Sequence, residues 1–357
     1  MKRITMQQIA DHLGLSKFAV SKALSGKGGV SEATKKRVIQ AASELGYFGQ
    51  KSAYVKNQIP AERKASIHGK RSVLVLMPNT RFQNKESLYW GKILEGISEE
   101  LDVRQLGMII VSDSRSEDFL HVLNLEGILG MIGVGQIESS LLLEVHRLGL
   151  PLILVDHEDA LIPTDTVFAN NRDSMSRLCT HLVGLGHTRL HFLGDIQFSS
   201  SFHDRWIGFR EVLELNGLTV PDRQDPMLRL RGVEIGEYGS DVKEWIAAQK
   251  RNKPMPSALV CANDSIALHV RQLLKEADIE VPAGMAITGF DNIDDAYRSD
   301  PPITTVDVPK QAMGHRAVKR LLERISNPEQ PYEKILVCAE LVHRDSTAAP
   351  VSADAQK

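Results

Sequence analysis

Two kinds of hydrophobic pattern divide the chain. In residues 5–46, apolar residues recur at helical spacing in three short blocks, which are separated by Gly14 and by the glycine-rich stretch 25–29. From Ser72 onward, short apolar runs alternate with longer segments of mixed polarity. The pattern predicts three short helices, followed by a body in which strands and helices alternate.

The body contains two series of apolar runs, each with the length and continuity of a buried parallel strand. The first series consists of Ser72–Met77, Met108–Val111, Gly127–Val134 and Leu152–Val155. The second series consists of Leu190–Leu193, Met227–Leu230, Ala258–Cys261 and Ala286–Gly289. Because strands that alternate with helices form doubly wound parallel sheets, the two series predict an α/β body of two lobes. Ligands bind at the carboxyl ends of such strands, so we expect a binding cleft between the lobes.

The first two helical blocks have the spacing of a helix-turn-helix. Ala10 is small enough to let two helices approach closely, and Gly14, four residues later, suits a turn with positive φ. Val20, six residues further on, would fix the second helix against the first. In a helix-turn-helix the second helix enters the major groove of DNA, so the spacing favours a DNA-binding headpiece.

The distribution of charge agrees with this interpretation. The whole chain has a formal net charge of −2, but residues 1–71 contain 14 basic and 4 acidic side chains, and the remainder contains 29 basic and 41 acidic ones. A basic head on an acidic body is typical of proteins that bind nucleic acid through one end. Helical periodicity within the head argues against a merely solvated basic tail.

Over residues 4–47, the sequence resembles the headpiece of the LacI/GalR family of bacterial transcriptional regulators. The residues that carry this resemblance are Ile4–Ala10, Gly14–Gly26, Val30–Val38 and Ala41–Tyr47. It continues through about 72–345, where it is carried by Leu185–Arg189, Asp204–Phe209, Ala262–Asp264, Gly289–Asn292 and Pro301–Val306. The resemblance implies an all-α helix-turn-helix headpiece, a periplasmic-binding-protein-like core of two doubly wound lobes, and a homodimer that binds a pseudo-palindromic operator in double-stranded DNA.

The resemblance also implies which headpiece residues contact DNA. Side chains early in the second helix would read base edges, and the matching positions are Lys17, Phe18, Ser21 and Lys22. Other matching positions would contact phosphates and fix the register: Thr5, Ser16, Ser25 and Ser31. For each lysine, an ordinary surface charge remains the alternative.

The linker departs from the family pattern. A Pro-Asn pair and a hinge helix with a leucine usually follow the headpiece, whereas this chain has Gly49-Gln50. Ala53 keeps its place in the hinge, but Lys56 stands where the leucine would insert into the minor groove. We therefore expect a smaller operator bend than a leucine hinge produces.

The domain organisation follows from the same resemblance. The headpiece would occupy residues 1–47, the hinge and linker 48–71, and the effector-binding and dimerisation core 72–347. Lobe one would comprise about 72–168 and 307–334, and lobe two about 170–304 and 335–347. The polar end of the chain, 348–357, would be a disordered tail.

Polar residues that follow the apolar strands are candidates for the cleft. Asp156, Asn263 and Asp291 each follow a strand, and Arg205 lies early in a predicted helix. Carboxylate, amide and guanidinium groups suit a ligand with many hydroxyls, and matching positions in the family bind sugars or purines. The remaining candidates are Asn79, Tyr89, Trp90, Ser201 and, as an aromatic wall, Phe168. The alternative is that Asp156 caps a turn and Asp291 caps a helix.

Other classes of protein are disfavoured. The three cysteines lie far apart in sequence, which indicates reduced thiols instead of a disulfide framework or a zinc site. No apolar run reaches the ~18 residues of a membrane span, and the N-terminus has no hydrophobic signal core. We therefore expect a cytoplasmic protein that uses no metal or cofactor.

Three functions remain to be compared. The favoured one is a regulator, more often a repressor in this family, whose operator affinity depends on a sugar or sugar derivative in the cleft. A solute-binding sensor without specific DNA binding is disfavoured by the intact pattern of Ala10, Gly14 and Val20. A sugar-modifying enzyme is disfavoured because the sequence contains no nucleophile elbow, paired catalytic carboxylates or nucleotide fingerprint.

Overall fold

The computed structural model of the chain describes the start of a helical headpiece and a body of two α/β lobes. The described residues are 6–24, 31, 34, 37–38, 41, 71–78, 87–112, 126–233, 236–251 and 255–350. The predicted fold class is confirmed, because an N-terminal helix-turn-helix precedes two separate parallel sheets.

The headpiece begins with two helices, α1 (Met6–Leu13) and α2 (Lys17–Leu24). Ala10 and Val20 are completely buried, and Gly14 adopts a φ of +68° in the turn that joins the helices. A side chain at Gly14 would be strained by this left-handed backbone conformation. The small, turn-forming and aliphatic positions therefore have the roles that the spacing predicts.

The third predicted helix is only partly described. Thr34, Val38 and Ala41 are helical, and Val38 and Ala41 are buried. Ser31 Oγ accepts a hydrogen bond from the Thr34 amide at 3.3 Å, as an N-cap residue does. The remainder of this predicted helix, with Gly46 at its end, lies outside the described residues.

Lobe one is built on a six-stranded parallel sheet. Its strands are β1 (Ser72–Leu76), β2 (Gly107–Val111), β3 (Ile128–Val134), β4 (Leu152–Val155), β5 (Asp165–Ala169) and β10 (Lys334–Val337). Its helices are α3 (Trp90–Val103), α4 (Ser139–Arg147) and α10 (Lys310–Ser326). The strand order is β10-β5-β4-β3-β1-β2, so the last strand of this lobe comes from a distant part of the chain.

Lobe two contains a three-stranded parallel sheet. Its strands are, in spatial order, β6 (Leu190–Leu193), β7 (Ala258–Cys261) and β8 (Ala286–Thr288). Its helices are α5 (Asn171–Gly184), α6 (Ser200–Leu215), α7 (Gly239–Arg251), α8 (Asp264–Glu276) and α9 (Asp294–Arg298). A short antiparallel pair near the lobe junction consists of β9 (Thr305–Asp307) and β11 (Glu340–Val342).

Two expectations about the body are wrong. The predicted strand Met227–Leu230 is largely a 3₁₀ turn, Pro226–Leu228, because Pro226 lacks an amide for a ladder and Asp225 Oδ1 accepts a bond from the Met227 amide at 2.8 Å. The boundary expected at about 334/335 also lies about three residues too early, since β10, which ends at Val337, pairs with β5 in lobe one. The chain therefore returns to lobe two after Val337.

Helix α10 packs against α3 with little space between the two backbones. A Cβ atom at Gly96 would collide with the main chain of Gln311, and one at Gly314 would collide with the main chain of Ile93. Such close approach permits extensive van der Waals contact between the helices. Helix α3 begins at the cleft and α10 begins beside it, so this close packing joins two helix starts near the cleft.

The end of the body is anchored to lobe two. The buried His187 donates through Nε2 to the Ala348 carbonyl at 2.9 Å, while its Nδ1 lies 2.9 Å from Ser257 Oγ. The expected disordered tail therefore does not begin at Ala348; the described residues extend to Pro350, and 351–357 lie outside them. No helix in the described part of the chain is long and apolar enough to cross a membrane.

Candidate functional site

A cavity of about 300 Å³ lies between the two lobes. Most of the residues predicted for the cleft line it: Tyr89, Trp90, Asp156, Ser201, Arg205, Asn263 and Asp291. They come from the start of α3, the end of β4, the start of α6 and the residues after β7 and β8. The carboxyl ends of strands from both sheets thus meet the amino ends of helices at one place, as the two-lobe prediction requires.

Two other predicted residues do not contribute to this cavity as described. Asn79 lies outside the described residues. Phe168 is buried in β5 and does not line the cavity; its ring centroid lies 4.8 Å from Lys334 Nζ of β10. Phe168 therefore does not form the expected aromatic wall of the cleft. An apolar run in the sequence does not reveal which neighbouring strand will cover a given side chain.

Arg205 is the centre of the polar network in the cavity wall. Only 2% of this residue is exposed, and its guanidinium donates to Asn171 Oδ1 at 2.9 Å, to the Ala262 carbonyl at 2.7 Å and to Asp291 Oδ1 at 3.0 Å. Its Cζ atom also lies 3.8 Å from the centroid of the Phe290 ring. These contacts fix the guanidinium plane, so the remaining N–H groups have one orientation toward the cavity.

The start of α6 explains why Ser201 and Arg205 act together. Ser199 is the N-cap, and its hydroxyl accepts from the Phe202 amide at 3.2 Å. From that start, residues four apart lie on the same face of the helix, and here this face is turned to the cavity. The sequence spacing of Ser201 and Arg205 therefore determines their common direction.

A hydrogen bond crosses the cleft between the lobes. Ser201 Oγ, on lobe two, donates to Asp156 Oδ1 at 2.5 Å, and Asp156 follows β4 of lobe one. Tyr89 Oη donates to the other carboxylate oxygen at 3.4 Å. Burial raises the pKa of Asp156 to about 6, although these hydroxyls and the charge of Arg205 favour the ionised form. Because its hydrogen-bond partner Ser201 belongs to lobe two, the Asp156 carboxylate lies where the two lobes meet.

Lys310 forms a hydrogen bond with the main chain of Asp291. Asp291 has a φ of +111°, and its carbonyl accepts a hydrogen bond from Lys310 Nζ, which also donates to the Val308 carbonyl at 3.1 Å. Burial lowers the pKa of this lysine, and the nearby carboxylate of Asp291 opposes that effect. Lys310 is the first residue of α10, so it connects the site to the helix that packs on α3.

Asp264 lies behind Asp291 and is almost completely buried. Its carboxylate accepts from Thr305 Oγ1 at 2.6 Å and from the Ile293 amide at 2.9 Å. Burial, with the charge of Asp291, raises the pKa of Asp264 to about 7, while Lys310 and the two hydrogen bonds oppose the shift. These hydrogen bonds of the Asp264 side chain fix the loop that follows β8. Its carboxyl group is expected to titrate near neutral pH.

Asp264→Asn should change how stability depends on pH. The folded state holds the Asp264 proton to a higher pH than the unfolded state, so the wild-type free energy of unfolding should decline between about pH 4 and pH 7, by about 1.4 kcal/mol for each unit of pKa difference. The variant lacks the contribution of Asp264 to this dependence, whereas contributions from other carboxyl groups such as Asp156 remain in both proteins. Urea denaturation of both proteins across this range measures it; a constant difference between them would contradict the prediction.

Several cavity residues were not found from the sequence. Phe198 and Phe202 line the lobe-two side, and Gln136 lines the lobe-one side. Gln136 follows β3 as closely as the chosen aspartates follow their strands, so the same rule would have found it. Asn171, which orients Arg205, follows β5, and the apolar pattern did not predict that strand.

The exposed side of α2 carries the predicted base-reading residues. Phe18 is 69% exposed, and Lys22 Nζ lies 4.9 Å from its ring centroid. Lys17 is exposed, and Ser16 caps the helix by accepting from the Ala19 amide at 3.2 Å. The exposed ring and the lysines beside it are accessible to a partner on this side of α2.

Other predicted contacts cannot be located. Thr5, Ser25, Ala53 and Lys56 lie outside the described residues, as does the side chain of Ser21. Among the described residues, no group of three or more His, Cys, Asp or Glu side chains is placed to hold a metal ion.

Comparison with known proteins supports both parts of this architecture. Residues 5–50 match the family model for bacterial regulatory proteins of the lacI family, and residues 179–347 match that for the periplasmic binding protein-like domain. The chain thus combines a lacI-family DNA-binding domain with a periplasmic-binding-protein-like domain. Its helix-turn-helix and its two-lobed body correspond to these two matches, and the chain is a DNA-binding transcriptional regulator.

Known transcriptional regulators resemble this chain over nearly its whole length. The HTH-type transcriptional regulator reg1 of Streptomyces lividans is 27% identical over 353 residues, which cover 96% of each chain. Among solved structures, the complex of the transcriptional regulator CelR with cellobiose has a TM-score of 0.67 at 21% identity, covering 97% of this chain and 100% of that one. The lac repressor dimer bound to operator and the anti-inducer ONPF has a TM-score of 0.66 at 21% identity, covering 98% and 100%.

Proposed function

We propose that this LacI-family regulator is a repressor that binds a pseudo-palindromic operator as a homodimer and responds to a sugar or sugar derivative in the interlobe cleft. The observation that carries the proposal is the oriented Arg205 guanidinium, which faces the cavity beside Asp291. We place its action in the cytoplasm, with the chromosomal DNA, and assign it no catalytic step.

The cavity has the chemistry that a sugar requires. Hydroxyl groups both donate and accept, and the wall offers carboxylate acceptors at Asp156 and Asp291 and guanidinium donors at Arg205. Aromatic rings at Trp90 and Phe198 provide apolar surface for the faces of a sugar ring. The bound cellobiose of the structurally similar CelR complex is consistent with this choice of ligand class.

A ligand in this cavity would act on both lobes. Asp156 belongs to lobe one and Ser201 to lobe two, so a ligand hydroxyl that binds Asp156 competes with the bond that now joins them. Such a ligand favours one interlobe geometry over another, and operator affinity can shift only by the difference in its affinity for the two states. The start of α10 at Lys310 gives a physical route from the cleft to the rest of lobe one.

Phe18→Ala should weaken operator binding about 10-fold and relax the base preference at one position, because the ring is expected to pack on a thymine methyl. The ring is mostly exposed in the free protein, so headpiece stability should not change. Gln7→Ala, at an exposed position of α1, is the control. Binding of operator variants by anisotropy measures the effect; an unaltered base preference in Phe18→Ala would remove this residue from the interface.

The whole proposal is tested by selection of random double-stranded DNA on the purified full-length protein, repeated with a panel of sugars. We expect enrichment of a symmetric site whose binding one sugar weakens or strengthens. Operator affinity should fall steeply with salt, because phosphate contacts release counterions. If no site is enriched while a sugar still raises the melting temperature, the protein is a solute-binding sensor instead.

A further inference from the structure

The charged groups that the structure describes in the cavity wall favour a neutral ligand over a negatively charged one. Among the described residues that line it, the charged ones are Asp156, Arg205 and Asp291, so carboxylates outnumber cations. Arg205 is already paired with Asp291 at 3.0 Å. The hydrogen bonds to the Asp156 carboxylate come from the hydroxyls of Ser201 and Tyr89, not from a cation.

The neighbouring lysine does not alter this balance. Lys310 is buried behind Asp291 and does not line the cavity. Its ammonium donates to the carbonyls of Asp291 and Val308. To donate to an anion in the cavity, the ammonium would have to give up its hydrogen bonds to these carbonyls.

Helix starts commonly bind phosphate, and three of them face this cavity. In each case a side-chain oxygen of the chain already accepts from one or two of the amides at the helix start. Ser87 Oγ accepts from the Tyr89 and Trp90 amides at 3.3 Å each, at the start of α3. Ser199 Oγ accepts from the Phe202 amide at 3.2 Å at the start of α6, and Asn263 Oδ1 accepts from the Ile266 amide at 2.9 Å at the start of α8. An anion at any of these helix starts would therefore have to compete with a side-chain cap.

We infer that the cleft selects an uncharged sugar and rejects its phosphorylated form. This inference rests on the proposed function, because it names the kind of sugar that the site accepts. Asp156 is the residue that imposes the selection: its carboxylate lies on the cavity wall with hydroxyl partners, and a phosphate would be repelled by it in a poorly solvated site. Neutral hydroxyls gain an acceptor from the same group.

The test uses matched pairs on the full-length protein. Glucose, ribose, fructose and trehalose are titrated against it by calorimetry, each beside its monophosphate, at low ionic strength. For the pair whose neutral member binds, we expect the monophosphate to bind at least about 100-fold more weakly. Asp156→Asn should reduce the ratio of the monophosphate Kd to the neutral-sugar Kd about 10-fold. Asp159→Asn, three residues along and outside the cavity wall, should leave it unchanged.

The outcomes separate the two proposals. A monophosphate that binds as tightly as its neutral partner, or more tightly, overturns the inference and leaves the sugar-responsive regulator intact. If no member of any pair binds, the sugar effector itself is rejected and the inference falls with it. The ratio of the two dissociation constants, measured on the wild-type protein, tests the inference even if Asp156→Asn does not fold.

Discussion

Arg205→Lys is expected to weaken effector binding about 10- to 100-fold while operator binding in the absence of effector stays as in the wild type. Arg205 makes three hydrogen bonds from one rigid plane, to Asn171, Ala262 and Asp291. Lysine keeps the positive charge beside Asp291 but cannot make those bonds together and present donors to the cavity. The loss of one or more charge-assisted hydrogen bonds, at about 1.5–3 kcal/mol each, gives the stated range.

Effector titration of the labelled operator complex, followed by anisotropy, measures this change. Arg231→Lys is the matched control, because Arg231 belongs to the same lobe but pairs with Asp241 on the surface. The control should respond as the wild type does. An undiminished effector response in Arg205→Lys would show that the cavity beside this residue is not the effector site; loss of operator binding without effector would show damage to the fold.

Asp165→Asn is expected to lower the free energy of unfolding by about 3–5 kcal/mol. Asp165 is completely buried, and its carboxylate accepts from Arg320 Nη2 at 2.8 Å, from Arg324 Nε at 2.8 Å and from the Glu333 amide at 2.9 Å. A neutral amide would remove the carboxylate that pairs with Arg324 and would leave Arg320 with only the partly exposed carboxylates of Glu323 and Glu333. Arg324 also donates to the Pro331 carbonyl at 2.9 Å, so the loop that leads into β10 should loosen as well.

The pH dependence distinguishes the charge from the shape of this side chain. Burial alone would raise the pKa of Asp165, but the hydrogen bonds from Arg324 and Arg320 together hold it below its usual value. The stabilisation should therefore be fully present above the ordinary aspartate pKa of about 3.9 and be lost as pH falls through the lower folded value. The difference between wild type and Asp165→Asn should be constant near neutral pH and shrink in acid.

Urea denaturation at several pH values checks both statements. Glu211→Gln, which removes the carboxylate of an exposed ion pair with Arg172, serves as the control and should have little effect because surface pairs are well solvated. An Asp165→Asn protein as stable as the wild type would mean that the two arginines find other partners. A difference that does not depend on pH would mean that packing, not charge, is responsible.

The sequence predicted the site best where a short-range rule was sufficient. A residue that follows a buried parallel strand lies at the cleft, and Asp156, Asn263 and Asp291 all do so. Ser201 and Arg205 are four residues apart on one helix, so their common direction is a property of helix geometry. The role of Asn263 is more local than expected, since its side chain caps α8 at the cavity wall.

The errors occurred where the partner of a segment is distant in the chain. Lys334–Val337 is a short run with alternating exposure, and only its pairing with β5 assigns it to lobe one. Phe168 looked like a cleft residue because it is aromatic, whereas the strand on which it lies is covered on both sides. The segment predicted as a strand at 227–230 forms only an isolated bridge, Arg229 with Asp195, and no continuous ladder.

By itself, the sequence determined the helix-turn-helix, the two α/β lobes and the residue types at the strand ends, because spacing, capping and burial along a segment are properties of local geometry. Only the tertiary structure decided that Asp156 bonds to Ser201 across the cleft, that Arg205 is oriented by Asn171, and that helix starts at the cavity are capped by their own side chains. Those contacts join segments far apart in the chain or depend on exact side-chain direction. No pattern of hydrophobic and polar positions specifies either, because both are set by how the two sheets and their helices pack together.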